Sequence, residues 1–325
     1  MRKRSVFLTV ASALLTTAIL FANDSFAQNY LSKPVKIVVP SGPGSIADTV
    51  ARAFALALST ELSQTFFVEN KIGANGILGA EAVAKAPADG TTILVGNVST
   101  HAANAALYKN LPYDPNRDFV PISHVGNIPY VLVVGPSVSA SKFADIVALS
   151  KANIGKLTYA SGSAPSIVGM EAIKRASGMD VLLVPYKTVP QGITDVLSGR
   201  VDMMVADVGV AVPLINSGKL RAIVTAAQVR TTILPNVPSL IEVGISGVDI
   251  VGWWGWYAPA GTPAVAVRRI ADALVKLASE KEMKDRLAKF GAELTAGSPE
   301  HLAAFTRQQG EMYQRMIRAA GIEPE

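Results

Sequence analysis

Apolar residues are grouped along this chain in two alternating ways. Short β-branched runs are followed by stretches in which large apolar residues recur every three to four positions. The first run, Ile37-Val38-Val39, ends at Pro40, and a flexible turn, Ser41-Gly42-Pro43-Gly44, follows it. Ile46, Val50, Phe54, Ala57 and Leu58 then recur at helical spacing, which predicts a strand–turn–helix unit. The alternation continues with strands at 65–69 and 92–96, separated by a turn at 73–76, a helix at 78–85 and a tight turn at 87–90. A strand at 129–135 and a helix at 142–152 come next. A second strand–turn–helix unit follows, with its strand at 157–160 and its helix from about Ser166. A strand at 181–184, a helix at 190–199, strands at 201–205 and 220–226, and helices at 263–279, 282–290 and 299–319 complete the pattern. Strands separated by helices predict an α/β fold of mainly parallel sheets with helices on both faces.

The two strand–turn–helix units, centred on residues 42 and 163, suggest one unit in each of two lobes facing a shared cleft. The start of a helix presents backbone N–H groups with no internal partner, which suits an anion. Gly42-Pro43-Gly44-Ser45-Ile46-Ala47 also fits the dinucleotide pattern G-x-G-x-x-G/A. That reading weakens because Pro43 has no N–H to give a phosphate, and Glu69 lies 27 positions after Gly42 rather than about 20.

The ends and the composition point to export. Arg2, Lys3 and Arg4 precede an apolar stretch from Val6 to Ala22, and Ser25-Phe26-Ala27 is a small-x-small signal. Residues 1–27 are therefore expected to be a signal peptide cut between Ala27 and Gln28. The chain has no cysteine, which excludes disulfides, a thiol nucleophile and a lipid-modified cysteine. A periplasmic location fits best. The net charge of +5 becomes +3 on cleavage, because three cations and Asp24 leave, and no basic run remains to attract nucleic acid.

Chemistry for turnover is sparse. The three histidines, His101, His124 and His301, are not spaced for a shared metal, and no G-x-S-x-G elbow is present. His301 reads as a solvated surface residue and His124 as structural. His101 follows a strand's C-terminal end, where open α/β sheets bind ligands, so it is a candidate for lining the cleft. Asp48 reads either as a base or as part of the capping box Ser45-Ile46-Ala47-Asp48 with an i,i+4 partner in Arg52; the cap is the favoured reading. Ser161, Ser163 and Ser166 read as hydroxyl donors at a helix start, since none has an evident histidine partner. Lys187 could neutralise an acid or be solvated. Trp253, Trp254 and Trp256, at strand spacing, could stack on a ligand or pack.

Several segments, in order, resemble the Bug receptors, the periplasmic solute-binding proteins of tripartite tricarboxylate transporters. "KPVKIVVPSGPGSIADTVAR", "VENKIGANGILGAEAVAKAPADGTTIL", "NLPYDPNRDFVPI", "YASGSAPS", "VPYKTVPQGITDVLSGRVDMM", "SGKLRAI", "LPNVPSLIEVG" and "WYAPAGTP" are collinear over residues 33–263. The resemblance implies a two-lobed Venus-flytrap receptor without enzymatic activity or cofactor. Lobe 1 would combine residues 28–129 with 253–325, and lobe 2 would be residues 130–252. It implies a small organic carboxylate held by loops matching 41–48 and 161–166 and passed to a membrane permease by a monomer. The candidate ligand-binding residues are Ser41, Gly42, Gly44, Ser45, Ala47, Asp48, Asn75, Thr100, His101, Ser161, Ser163, Ser166, Gly169, Tyr186 and Asp207; no catalytic or metal-binding residue is expected. Ser41 and Gly169 stand where the family usually carries larger side chains, so a larger or flatter ligand, such as an aromatic mono- or dicarboxylate, is expected. The alternatives are a periplasmic serine hydrolase using Ser161 or Ser163, and a subunit presenting ligand to a membrane sensor kinase.

Overall fold

The structure is a computed structural model and describes residues 33–324. The export signal and its cleavage site therefore lie outside the described residues. Ten strands form one continuous sheet in the order β2-β1-β3-β9-β4-β7-β5-β6, with β10 and β8 also pairing with β4. At one end β1 (Val35–Val39) lies parallel between β2 (Phe66–Asn70) and β3 (Thr92–Asn97). At the other end β5 (Thr158–Ser161) lies parallel between β6 (Leu182–Pro185) and β7 (Met203–Asp207).

The centre departs from the parallel expectation. β4 (Phe119–Val134) and β9 (Val251–Pro259) are antiparallel, and β3–β9, β4–β7, β4–β8 (Arg221–Thr225) and β4–β10 (Glu293–Gly297) are antiparallel too. The chain leaves the first half of the sheet along β4 and returns along β9, so two adjacent strands must run in opposite directions. β4 changes partners along its length. Phe119–Pro129 pairs with β9, whereas Tyr130–Val134 pairs with β7 and β8.

The periodic apolar positions become the core. Helix α1 (Ile46–Glu61) buries Val50, Phe54 and Leu58 completely against the sheet. Trp256 meets Phe54 edge to face, with ring centroids 5.9 Å apart. Helices α2 (Ile77–Ala84), α3 (Asn104–Leu107), α4 (Phe143–Ala152), α5 (Ala164–Ser177) and α6 (Val189–Leu197) follow in chain order. Then come α7 (Val208–Asn216), α8 (Ala264–Ser279), α9 (Lys281–Ala288) and α10 (Pro299–Ala319), of which α8 and α10 pack on β4.

Sequence patterning missed the first half of β4, helices α3 and α7 and strand β10, and caught β9 only as the strand spacing of its tryptophans. Pro121, Ser123, His124 and Gly126 interrupt the apolar run in β4. The strand absorbs them through register shifts between Pro121 and Ser123 and between His124 and Gly126. Val208-Gly-Val-Ala-Val, rich in β-branched residues, carries no helical signal of its own; Asp207 caps it as a helix by accepting from the Val210 N–H at 3.1 Å. Helix α5 begins at Ala164, two residues before the expected start, with Pro165 in its first turn.

Candidate functional site

A cavity of about 100 Å³ lies where the two halves of the sheet meet, room for roughly seven to ten ordered waters. One wall is the turn after β1 and the first turn of α1, contributing Ser41, Gly42, Ser45, Ile46 and Ala47. The loop before α2 adds Asn75, and the turn after β3 adds Ser99. The opposite wall carries Tyr130, Ser163, Lys187, Thr188 and Asp207, while Trp253 and Trp254 lie at the crossing strand β9. Trp253 Nε1 donates to Gln309 Oε1 of α10 at 3.2 Å, and Trp256 is packed in the core away from the cavity.

The first turn of α1 differs in detail from the expected clamp. Gly44 was expected to offer its N–H to the ligand, but that N–H donates to Asp48 Oδ2 at 3.1 Å. Ser45 N–H donates to the Gly42 carbonyl at 3.1 Å, and Ser45 Oγ accepts from the Asp48 N–H at 3.3 Å while sitting 3.1 Å from Ser41 Oγ. The capping box thus closes one residue upstream, on Gly44 rather than on the N-cap. Gly44 has φ +77°, a conformation that proline cannot adopt. The N–H groups of Ile46 and Ala47 have no acceptor in the described protein, and both residues line the cavity. They are the free donors of this helix start.

Asp48 belongs to the scaffold of the turn and not to the cavity lining. Its carboxylate also accepts from Arg52 Nε at 3.1 Å and from Asn70 Nδ2 at 2.9 Å. Burial would raise its pKa, but Arg52, Asn70 and the Gly44 N–H outweigh burial and hold it below the usual carboxylate value. That contribution to stability is present above the ordinary aspartate pKa and is lost on acidification below it. Asp48→Asn is expected to cost about 1–2 kcal/mol of stability, since Arg52 is half exposed, with little change in ligand affinity. Urea unfolding and calorimetry on the same variant check both halves of that statement.

The second helix start is less open than expected. Ala164 N–H donates to Ser99 Oγ at 3.3 Å, and Pro165 has no N–H. Ser163 Oγ is buried without a partner and lines the cavity. Ser161 instead donates to the Ser163 carbonyl at 3.2 Å, and Ser166 donates to the Val205 carbonyl at 2.6 Å, so neither hydroxyl serves the cavity. Gly169 was expected to enlarge the pocket. It faces the core, where an added Cβ would lie 3.2 Å from Ile250 and 3.4 Å from Val205. Tyr186 is also turned away, donating to Asp195 Oδ2 at 2.7 Å.

His101 does not line the cleft. It is 2% exposed, stacks on Tyr257 with ring centroids 3.8 Å apart, and bonds Thr100 Oγ1 through Nδ1 at 2.9 Å. Burial pushes its pKa down to about 3. Thr100 is buried with it, its hydroxyl engaged by the Asn97 backbone and by His101. His124 is buried as the sequence suggested, and exposed His301 lies against it, with ring nitrogens 3.4 Å apart. Among the described residues no group of three or more histidines, cysteines or acids is placed to hold a metal ion. Of the sequence candidates, Ser41, Gly42, Ser45, Ala47, Asn75, Ser163 and Asp207 meet at the cavity; Gly44, Asp48, Thr100, His101, Ser161, Ser166, Gly169 and Tyr186 do not. Ile46, Ser99, Tyr130 and Thr188 line the cavity but were not among the candidates. Only Ile46 carried a signal, as the first helical residue after a serine cap.

A sheet crossed twice by the chain, with helix starts converging on a cavity between its halves, defines a two-lobed periplasmic binding protein. Residues 50–322 match the family described as tripartite tricarboxylate transporter family receptor, and the chain belongs to that family. Its fold is similar to Rpa4515 of R. palustris with adipate (TM-score 0.87, 28% identity, covering 90% of this chain and 99% of that one). The periplasmic binding protein BugD gives TM-score 0.85 at 30% identity, covering 90% and 99%. MatC from Rhodopseudomonas palustris with bound malate gives TM-score 0.83 at 29% identity, covering 88% and 99%. The family and these neighbours are solute-binding receptors, not enzymes.

Proposed function

We propose that this protein captures a small organic carboxylate between two lobes and delivers it to the membrane permease of a tripartite tricarboxylate-type transporter. The observation that carries the reading is the pair of unpartnered N–H groups, Ile46 and Ala47, facing a cavity of about 100 Å³. They suit one carboxylate, and the volume suits an acid of about ten heavy atoms. The aromatic acid expected from sequence keeps Ser41 in its favour but loses Gly169, so a compact acid is favoured. The similar proteins described with adipate and malate agree with that size.

The lobes proposed are residues 28–129 with 253–325, and residues 130–252. The change of β4 partners between Pro129 and Tyr130 supports the first boundary, and β9 near Gly252 and Trp253 supports the return. Two contacts cross the mouth: Ser99 with Ala164, and Gly42 with Thr188, whose methyl lies 3.2 Å from where a Gly42 Cβ would be. Both support closure of the lobes over ligand as the working motion. Export to the periplasm with cleavage after Ala27 completes the reading, and intact mass of the periplasmic protein is expected to begin at Gln28.

Native mass spectrometry of purified protein, followed by a thermal-shift screen of carboxylates, tests the function. A true ligand at a hundred times its Kd adds about 2.7 kcal/mol, a rise in Tm of about 4 °C for a chain of this length. Small-angle scattering should show a smaller radius of gyration with that ligand. Absence of any shift across mono-, di- and aromatic carboxylates would remove the receptor reading. Pull-down of a permease rather than a sensor kinase separates the transporter from the sensor alternative.

A further inference from the structure

The two ends of the cavity are chemically unlike. The α1 end offers the free N–H groups of Ile46 and Ala47. Across the cavity the α5 start has given its first N–H to Ser99 and has proline next, while the N–H groups of Ser163 and of Val189 at the α6 start have no acceptor. A further helix start, α7, already holds an anion of the protein's own. Asp207 is 5% exposed, lines the cavity and caps α7 by accepting from the Val210 N–H. No basic side chain among the described residues forms an ion pair with it. Tyr130, its cross-strand partner, and Ser163, whose Oγ is buried without a partner, line the same cavity. A second carboxylate on the ligand would be drawn into a small space against this aspartate.

We propose that Asp207 determines specificity, and that the ligand is a monocarboxylate bearing a protonated amine, its carboxylate at the start of α1 and its ammonium against Asp207. The proposal rests on the receptor reading above. Backbone N–H groups of Val210 and Gly209 already donate to Asp207; an ammonium supplies the positive charge that it lacks, and Ser163 Oγ can accept from the same group. Burial, partly offset by the Val210 N–H, raises the Asp207 pKa to about 6, as expected for an acid lacking a cationic partner. Tyr130 on β4 and exposed Lys187 in the loop before α6 are the other titratable groups lining this cavity.

The test is calorimetry with chain-matched probes: β-alanine, γ-aminobutyrate and δ-aminovalerate against malonate, succinate and glutarate, with γ-hydroxybutyrate as the uncharged donor. At neutral pH the best amino acid is expected to bind at least about tenfold more tightly than its matched diacid. Asp207→Asn keeps a capping oxygen for α7, so the helix start is retained. It is expected to weaken the amino acid about ten- to a hundredfold while leaving or improving the diacid. Acidification through about pH 6 should act in the same direction as the mutation, because it neutralises Asp207. Three results would overturn the proposal: diacids binding more tightly to wild type, γ-hydroxybutyrate matching γ-aminobutyrate, or an unchanged preference in folded Asp207→Asn. If diacids bind and amino acids do not, only this assignment fails. If no acid in the wider carboxylate screen binds, the receptor reading fails with it.

Discussion

Replacing Ile46 by proline is expected to lower carboxylate affinity about ten- to a hundredfold while leaving the fold intact. Ile46 is the first residue of α1, where proline is well tolerated because no intrahelical bond uses that N–H. Ser45, the preceding residue, has φ −69° and ψ 159°, the extended conformation that a following proline requires. The substitution therefore deletes one ligand donor with little backbone strain. Loss of a hydrogen bond to a charged group costs about 1.5–3 kcal/mol, which sets the range given. Ile46→Val retains the N–H and most of the buried side chain, and should bind as wild type does. Calorimetry on both, with circular dichroism for folding, decides the matter. Equal affinity for folded Ile46→Pro and wild type would show that the first-turn amides do not hold the ligand. Gly44→Pro cannot serve this purpose, since it would break the turn at φ +77° and remove a donor that Asp48 already uses.

The second large effect is on acid stability. His101 is buried and uncharged, with its pKa lowered by burial to about 3, while in the unfolded chain it returns to an ordinary 6.5. A depressed histidine binds its proton in the unfolded state first. Its neutral form therefore contributes stability that is fully present above pH 6.5 and is lost as pH falls from 6.5 toward 3. One such group removes up to about 1.4 kcal/mol per pH unit. His124, pushed down to about 4 mainly by burial, acts in the same direction. Asp207 opposes them, because its pKa is raised to about 6 and the folded state takes up its proton first. His101→Leu should lower stability at pH 7 through lost stacking and the lost bond to Thr100, yet flatten the acid branch. Between about pH 6 and pH 4 the variant should lose about 2.5 kcal/mol less than wild type. Urea midpoints across that range give the two slopes. Parallel slopes would mean that His101 is not held neutral in the fold.

What the sequence determined by itself was set by local periodicity and by collinear motifs. Val50, Phe54 and Leu58 at helical spacing, the β-branched run of β1, the strand near 157–160 and the Ser45–Asp48 cap are short-range features, and each appears within a residue of where the pattern placed it. The family, too, was legible in the ordered motifs: all but the first, at 33–52, fall within the family match over residues 50–322. The tertiary structure alone decided what lies across the sheet. It set the antiparallel crossing of β4 and β9, because strand direction depends on where the chain must return rather than on any local pattern. It also decided which groups reach the cavity. Gly44 and Ser45 were plausible donors along the chain, but Asp48 and the Gly42 carbonyl take their N–H groups, leaving those of Ile46 and Ala47. His101 and Gly169 stood beside cleft-forming turns, yet one stacks on Tyr257 and the other packs on Ile250, because neighbours distant in sequence fill the space around them. Asp207, two residues beyond the strand expected at 201–205, was among the candidates that the family resemblance implied, and the pairing of β7 with β4 sets it beside Tyr130 at the cavity.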